Sequence, residues 1–291
     1  MKNKKMVLKI VLLALFAFSA ITCYSQSGGG RNFNNADDLK KYLDSQPANS
    51  PDKPIKVSMN ANAPMLPKIG EVINSTGKYV SLNLTGNALT TIPERAFDGC
   101  ETLVSITIPN NVTNIGERAF QRCTSLATIT VEPANTAFFV RDGILYSATE
   151  IIFVPKGIKG TVTIPDGVTW IGRETFSNCK SITSVTISNS VTEIGQSAFS
   201  GCTSLASITI GSGVKRIEKW AFDGCTSLTS ITFKGTISSS DFDSTAFRWM
   251  TAGNGSSSIW TTDLRNKYLA GGVGTYTTPA PLNENSKWTK Q

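Results

Sequence analysis

One template returns along this chain at a fixed period, and that period constrains the fold more than any other feature. After Cys179 the pattern reads Ile182, Val185, Ile187, Val191, Ile194, Ala198-Phe199 and Cys202. Twenty-three residues later it reads Leu205, Ile208, Ile210, Val214, Ile217, Ala221-Phe222 and Cys225. An earlier copy runs from Cys100 through Leu103, Ile106, Ile108, Val112, Ile115 and Ala119-Phe120 to Cys123. Self-similarity at such a period marks a repeat array. One copy alone has too few apolar positions to offset the entropy of ordering its backbone. Stacked copies cover one another, so the expected fold is a repeat solenoid, mainly β, with parallel strands.

Within each strand, branched aliphatics alternate with hydroxyls. The outward pairs are Ser105/Thr107, Thr128/Thr130, Thr161/Thr163, Ser184/Thr186, Ser207/Thr209 and Ser230/Thr232. Period-two alternation puts them on one exposed sheet face. Two readings stand side by side: threonine simply suits a β ladder, or the face is a flat polar platform for a protein or glycan. The second must contend with a face lacking the Trp, Tyr and Arg that dominate binding hot spots.

The repeats are expected over 79–250, between a small helical N-terminal cap at 31–78 and a C-terminal tail at 251–291. Asn35 to Leu39 opens a helix running to Leu43, Ile55 to Met59 alternates like a strand, and Pro67 to Ile73 reads as a second helix. The last copy decays: Leu228, Ile231, Phe233 and Ile237 fit, then two extra residues displace Phe242 and Phe247. Decay at an end marks a terminal cap, here expected to be irregular. Tyr268, Tyr276 and Trp288 lie in a tail without repeat character.

The array is interrupted once, near 132–158. Cys123 to Cys179 spans 56 residues where two copies would take 46. The surplus falls at Phe138-Phe139-Val140, Asp142-Gly143 and Ile144-Leu145-Tyr146. Asp-Gly between β-rich runs signals a hairpin, and Ile151 to Val154 offers a third strand. This reads as a projecting β insert, so that removing residues 138–147 would leave distant repeats folded.

Residues 1–25 read as a signal peptide or tether: a lysine-rich start, then an apolar run from Val7 to Ile21 too short to span a membrane. Export follows, to the cell surface, the outer membrane or the medium. Ala20-Ile21-Thr22-Cys23 is similar to a lipobox, which would lipidate Cys23; ordinary cleavage near Cys23-Tyr24-Ser25 is the rival. Removing the four positive charges of Lys2, Lys4, Lys5 and Lys9 from a net charge of +7 leaves +3, so the basic balance is no nucleic-acid footprint. The chain has no histidine, which removes Ser-His-Asp and Cys-His nucleophiles and His-ligated zinc. Five of the six cysteines share one template position. Stacked strands about 4.8 Å apart carry parallel side chains, whereas a disulfide wants converging Cβ atoms about 3.8 Å apart. Buried free thiols are expected, with no catalytic residue, cofactor or metal.

The strings Ile-Thr-Ile-Pro, Val-Thr-x-Ile-Gly, Ala-Phe and Cys-Thr-Ser-Leu over about residues 79–250 resemble the BspA-type leucine-rich repeat family of bacterial surface antigens. The tail around Lys267-Tyr268-Leu269-Ala270-Gly271-Gly272 and Trp288-Thr289-Lys290-Gln291 is similar to that of spirochaete members. The resemblance implies a surface or secreted protein that adheres to host extracellular-matrix proteins, coaggregates with other bacteria and stimulates host innate immunity. It carries no catalytic residues over to this chain.

Candidate contact residues are Phe138, Phe139, Arg141 and Tyr146 in the insert, and Trp170 and Trp220 off the main sheet. Trp220, at a template position outside the core and beside Lys215, Arg216 and Lys219, has two readings: exposed and suited to protein or anionic glycan, or half-buried in a packing role. The partners expected are host matrix or bacterial surface proteins, with glycans also admitted, and a membrane only through a lipid on Cys23. An envelope scaffold without a host ligand is the competing reading.

Overall fold

The structure, a computed structural model, describes residues 30–247, 261–279 and 287–291. The export segment, Cys23 and the Gly/Ser-rich stretch at 251–259 lie outside the described residues.

The repeat template produces parallel strands in register. Strands β3 (Val80–Thr85), β5 (Leu103–Ile108) and β7 (Thr128–Val131) form one ladder, continued outward from β3 by β2 (Ile55–Asn60) and β1 (Arg31–Phe33). A second ladder joins β11 (Lys159–Thr163), β13 (Ser181–Thr186), β15 (Ser207–Ile210) and β17 (Ser230–Phe233). Ser184, Ser207 and Ser230 align across it, as do Val185, Ile208 and Ile231. The aliphatic row is buried, while the hydroxyl row is half-exposed and partly bonded along its own length: Ser207 Oγ donates to Ser184 Oγ at 2.9 Å.

On the opposite side each repeat contributes a two-residue strand. Here β4 (Thr91–Ile92) pairs with β6 (Asn114–Ile115), and β12 (Trp170–Ile171), β14 (Glu193–Ile194) and β16 (Arg216–Ile217) form a second set. The Ala-Phe turn that follows (Thr-Phe in one copy) contains a left-handed residue in each of these five copies: Arg95, Arg118, Glu174, Ser197 and Trp220, at φ 54–59°. None is glycine, so each is strained. Hydrogen bonds between repeats offset that strain: the N–H of Glu174 donates to Gln196 O at 3.0 Å, and that of Trp220 to Thr245 O at 3.2 Å. The turn thereby drives its phenylalanine inward. Phe176, Phe199, Phe222 and Phe247 stack with ring centroids 4.9, 5.3 and 4.6 Å apart. Phe247 keeps its place in this stack despite the two extra residues before it.

The insert departs from the sequence expectation. Strands β8 (Phe138–Arg141), β9 (Ile144–Ser147) and β10 (Ile151–Phe153) form an antiparallel sheet in the order β10-β9-β8. It does not project. Ile144, Leu145 and Tyr146 are all 0% exposed. Consecutive strand residues face opposite ways, so burial of three in a row requires a core on each face. Leu145, with Phe138, joins the apolar cluster of the first ladder, which also holds α1 (Ala36–Asp44) and α2 (Leu66–Thr76). Ile144 and Tyr146 join the cluster of the second ladder. Phe153 meets the edge of Phe120 at 5.8 Å, where a regular copy would have placed its own ring. Strands β7 and β11 are not paired, and the insert occupies the layer between them. Removing 138–147 therefore uncovers two cores, which corrects the expectation that such a deletion leaves distant repeats folded.

The tail is also more regular than its composition implied. Helix α3 (Thr261–Gly271) is followed by β18 (Gly274–Thr277), antiparallel to β17, and β19 (Thr289–Lys290) beside β18. Tyr268, Tyr276 and Trp288 are buried against the last repeat. The Tyr268 hydroxyl accepts from Ile237 N at 2.7 Å and donates to Gly235 O at 2.9 Å.

Candidate binding surface

Two of the four insert candidates are structural. Phe138 is 7% exposed and Tyr146 is enclosed, because their strand faces look into the two cores. The Tyr146 hydroxyl is buried without a hydrogen-bond partner among the described residues, and burial raises its pKa, with the nearby charge of Asp142 adding to the rise. Asp142 and Gly143, at φ 51° and 77°, make the two-residue turn with both dihedrals positive that Asp-Gly favours. That turn sets Phe139 opposite Tyr146, and the rings stack at 5.4 Å. Phe139, Val140 and Arg141 remain exposed. Of the insert's three strands, only the edge strand β8 carries exposed side chains.

The tryptophans behave differently from each other. Trp170 leads β12 and is 47% exposed, the most exposed large apolar side chain among the described residues. Trp220 is half-buried. It sits in the left-handed turn, and Lys219 Nζ lies 5.1 Å from its ring centroid. The two occupy different template positions, and the fold does not bring them together in one row.

Glu193 was missed by sequence reasoning. It pairs in register with Trp170 on one side and Arg216 on the other. The signal was present, since 170, 193 and 216 are spaced by the period itself, but a lone acid on a two-residue strand has no motif. Arg216 Nη2 lies 3.3 Å from Glu218 Oε1, and Glu218 also accepts from Gln196 N at 2.8 Å. These groups, with Lys219, Asp241 and Asp243, line a shallow cavity of about 220 Å³ between the last repeats. Its acids are engaged: Asp243 accepts from Thr245 N at 2.7 Å. Among the described residues no cluster of His, Cys, Asp or Glu is placed to hold a metal.

The five repeat cysteines are buried and unbridged, as the template implied. Their thiols donate to main-chain carbonyls of the preceding layer: Cys123 to Phe97 O at 2.9 Å, Cys202 to Phe176 O at 3.1 Å and Cys225 to Phe199 O at 3.2 Å. Burial pushes the thiols of Cys100, Cys123 and Cys179 from an ordinary value of 9.0 up to about 12. Folding therefore favours the protonated thiol. That contribution is complete below pH 9 and is lost as pH rises towards 12. In urea titrations at several pH values, stability should fall above about pH 9. Replacing Cys100, Cys123 or Cys179 by alanine should flatten the fall by up to about 1.4 kcal/mol per pH unit. A slope unchanged in Cys123→Ala would show that this thiol ionises as freely in the folded chain as in the unfolded one.

Several solved structures resemble parts of this chain. A leucine-rich cell surface protein from Faecalibacterium prausnitzii is 28% identical over 55% of this chain and 55% of its own, with a TM-score of 0.41. A leucine-rich repeat protein from Bacteroides ovatus is 30% identical, covering 50% of this chain and 41% of its own, at a TM-score of 0.38. The pneumococcal vaccine antigen PcpA is 18% identical over 59% of this chain and 51% of its own, at 0.40. The chain thus spans about half the length of these proteins. No curated protein matches it. The BspA type leucine-rich repeat region, in six copies, matches residues 69–159 and 150–260, and the chain belongs to that family.

Proposed function

We propose that this protein is an exported, surface-associated solenoid that binds macromolecules and catalyses no reaction. In this reading 31–78 and 261–291 close the two ends of the stack and the repeats present the contact surface. The observation that carries it is the contrast on that surface. Regular strands offer short hydroxyls, already hydrated, whereas Trp170, Phe139 and Val140 hold apolar area in the open on a fixed backbone. Burying such rigid groups provides affinity at small entropic cost. The lysine-rich apolar segment at the start of the sequence supports export, and Cys23 offers a lipid anchor. Adhesion to host matrix proteins or to the surface proteins of other bacteria is the role that fits, with glycans as a further class of ligand.

The test is to immobilise the mature protein and measure retention of purified host matrix proteins and of intact bacteria. Retention of a matrix protein, weakened at least about tenfold in Trp170→Ala, is the expected result; it corresponds to the roughly 1.4 kcal/mol or more carried by a hot-spot aromatic. Capture of the producing cell's own envelope proteins alone would instead establish the scaffold reading.

A further inference from the structure

We propose that Trp170 and Glu193 together form a receptor for a cationic side chain, a lysine or arginine presented by a protein partner. The proposal rests on the protein-binding reading above and names what one part of that surface recognises. Ile171 and Ile194 are buried and paired in register, so Trp170 and Glu193, each one residue earlier, share the outward side of neighbouring strands. Such strands lie about 4.8 Å apart. The indole lies against Gly172: a Cβ there would sit 3.5 Å from Trp170 Cη2 and 3.6 Å from Cζ3. The six-membered ring is therefore braced on main chain rather than swinging in solvent, and nearly half of the side chain stays open.

Glu193 makes no ion pair and no side-chain hydrogen bond among the described residues. Arg216, its other register neighbour, is drawn towards Glu218 at 3.3 Å. An open indole face carries a negative quadrupole, and an adjacent free carboxylate adds a full charge; both attract a cation. The protein meets this need elsewhere from its own chain. Lys219 Nζ lies 5.1 Å from the ring centroid of Trp220, and the Arg31 guanidinium 5.0 Å from that of Tyr42. Among the described residues no lysine or arginine lies over Trp170. Trp170 is thus an exposed indole with an acid in register beside it and no cation of its own among the described residues. A neutral sugar could stack on the same ring, but would leave the charge of Glu193 unused.

Nuclear magnetic resonance of the mature, indole-labelled protein tests this, with the Trp170 Nε1–H signal assigned from Trp170→Phe. Hexa-arginine should shift that signal, and the response should weaken about fivefold in Glu193→Gln and also in about 0.5 M salt. A neutral β-glucan oligosaccharide should leave it in place. A shift with the oligosaccharide alone, or a hexa-arginine response indifferent to Glu193→Gln, overturns the proposal. Glu193→Gln is isosteric and lies on an outward position, and an unchanged amide spectrum away from β14 confirms that the variant is folded. Retention of a matrix protein without any hexa-arginine response sinks this site alone. A Trp170 response in a protein that retains no matrix protein and no bacteria sinks the adhesion reading while the site stands.

Discussion

Phe199→Ala should lower the unfolding free energy by about 3–5 kcal/mol. Its ring is 0% exposed and lies between Phe176 and Phe222, at 4.9 and 5.3 Å, so truncation leaves a void bounded by two aromatic faces. The left-handed Ser197 before it fixes the backbone through the hydrogen bond from its N–H to Lys219 O, so neighbouring turns cannot easily collapse inward. Thr186→Ala, on the outward row, should cost well under about 1 kcal/mol, as surface changes do. Urea titrations of the two variants decide the matter. Equal losses would mean that inward and outward faces have been exchanged.

The second large effect concerns β9. Deleting 138–147 should cost both halves of the molecule, because Leu145 completes one core while Ile144 and Tyr146 complete the other. Single replacements separate the two contributions: Leu145→Ala and Ile144→Ala should each cost about 2–5 kcal/mol. All five tryptophans follow the insert in the chain, so their fluorescence reports on the second half, whereas circular dichroism reports on both. In Leu145→Ala the dichroism should begin to fall before the fluorescence changes. Ile144→Ala should bring the fluorescence transition forward. Coincident and unaltered transitions in both variants would mean that β9 bridges nothing.

The regular parts of this fold were legible because a period leaves no freedom. Val185 and Thr186 alternate inward and outward, and their counterparts Ile208 and Thr209 recur twenty-three residues on. The ladder, its register and its inward row of phenylalanines then follow together. The same regularity made the cysteines readable as separate thiols rather than pairs. The insert was readable as a hairpin from Asp142-Gly143 but not as a core layer. Nothing in Ile144-Leu145-Tyr146 tells whether one face or both will be covered; that depends on β7 and β11 failing to pair, a property of the stack and not of the segment. The sequence left Trp220 open between exposure and half-burial, because its left-handed turn position admits Arg, Glu, Ser and Trp alike and leaves Arg95, Arg118 and Glu174 exposed. Within the candidate surface, Trp170 was visible as an aromatic out of place. Glu193 became visible only when register set it beside that indole.

The claim on which the rest depends is that the insert is a buried layer joining two repeat stacks. Native-state hydrogen exchange, resolved on peptides covering 144–147 and 207–210, tests it most directly. If β9 is the central strand of a layer enclosed on both faces, its amides should exchange as slowly as those of β15. Exchange of 144–147 at loop rates, with 207–210 still protected, would show a hairpin standing free of the stack and would contradict the account.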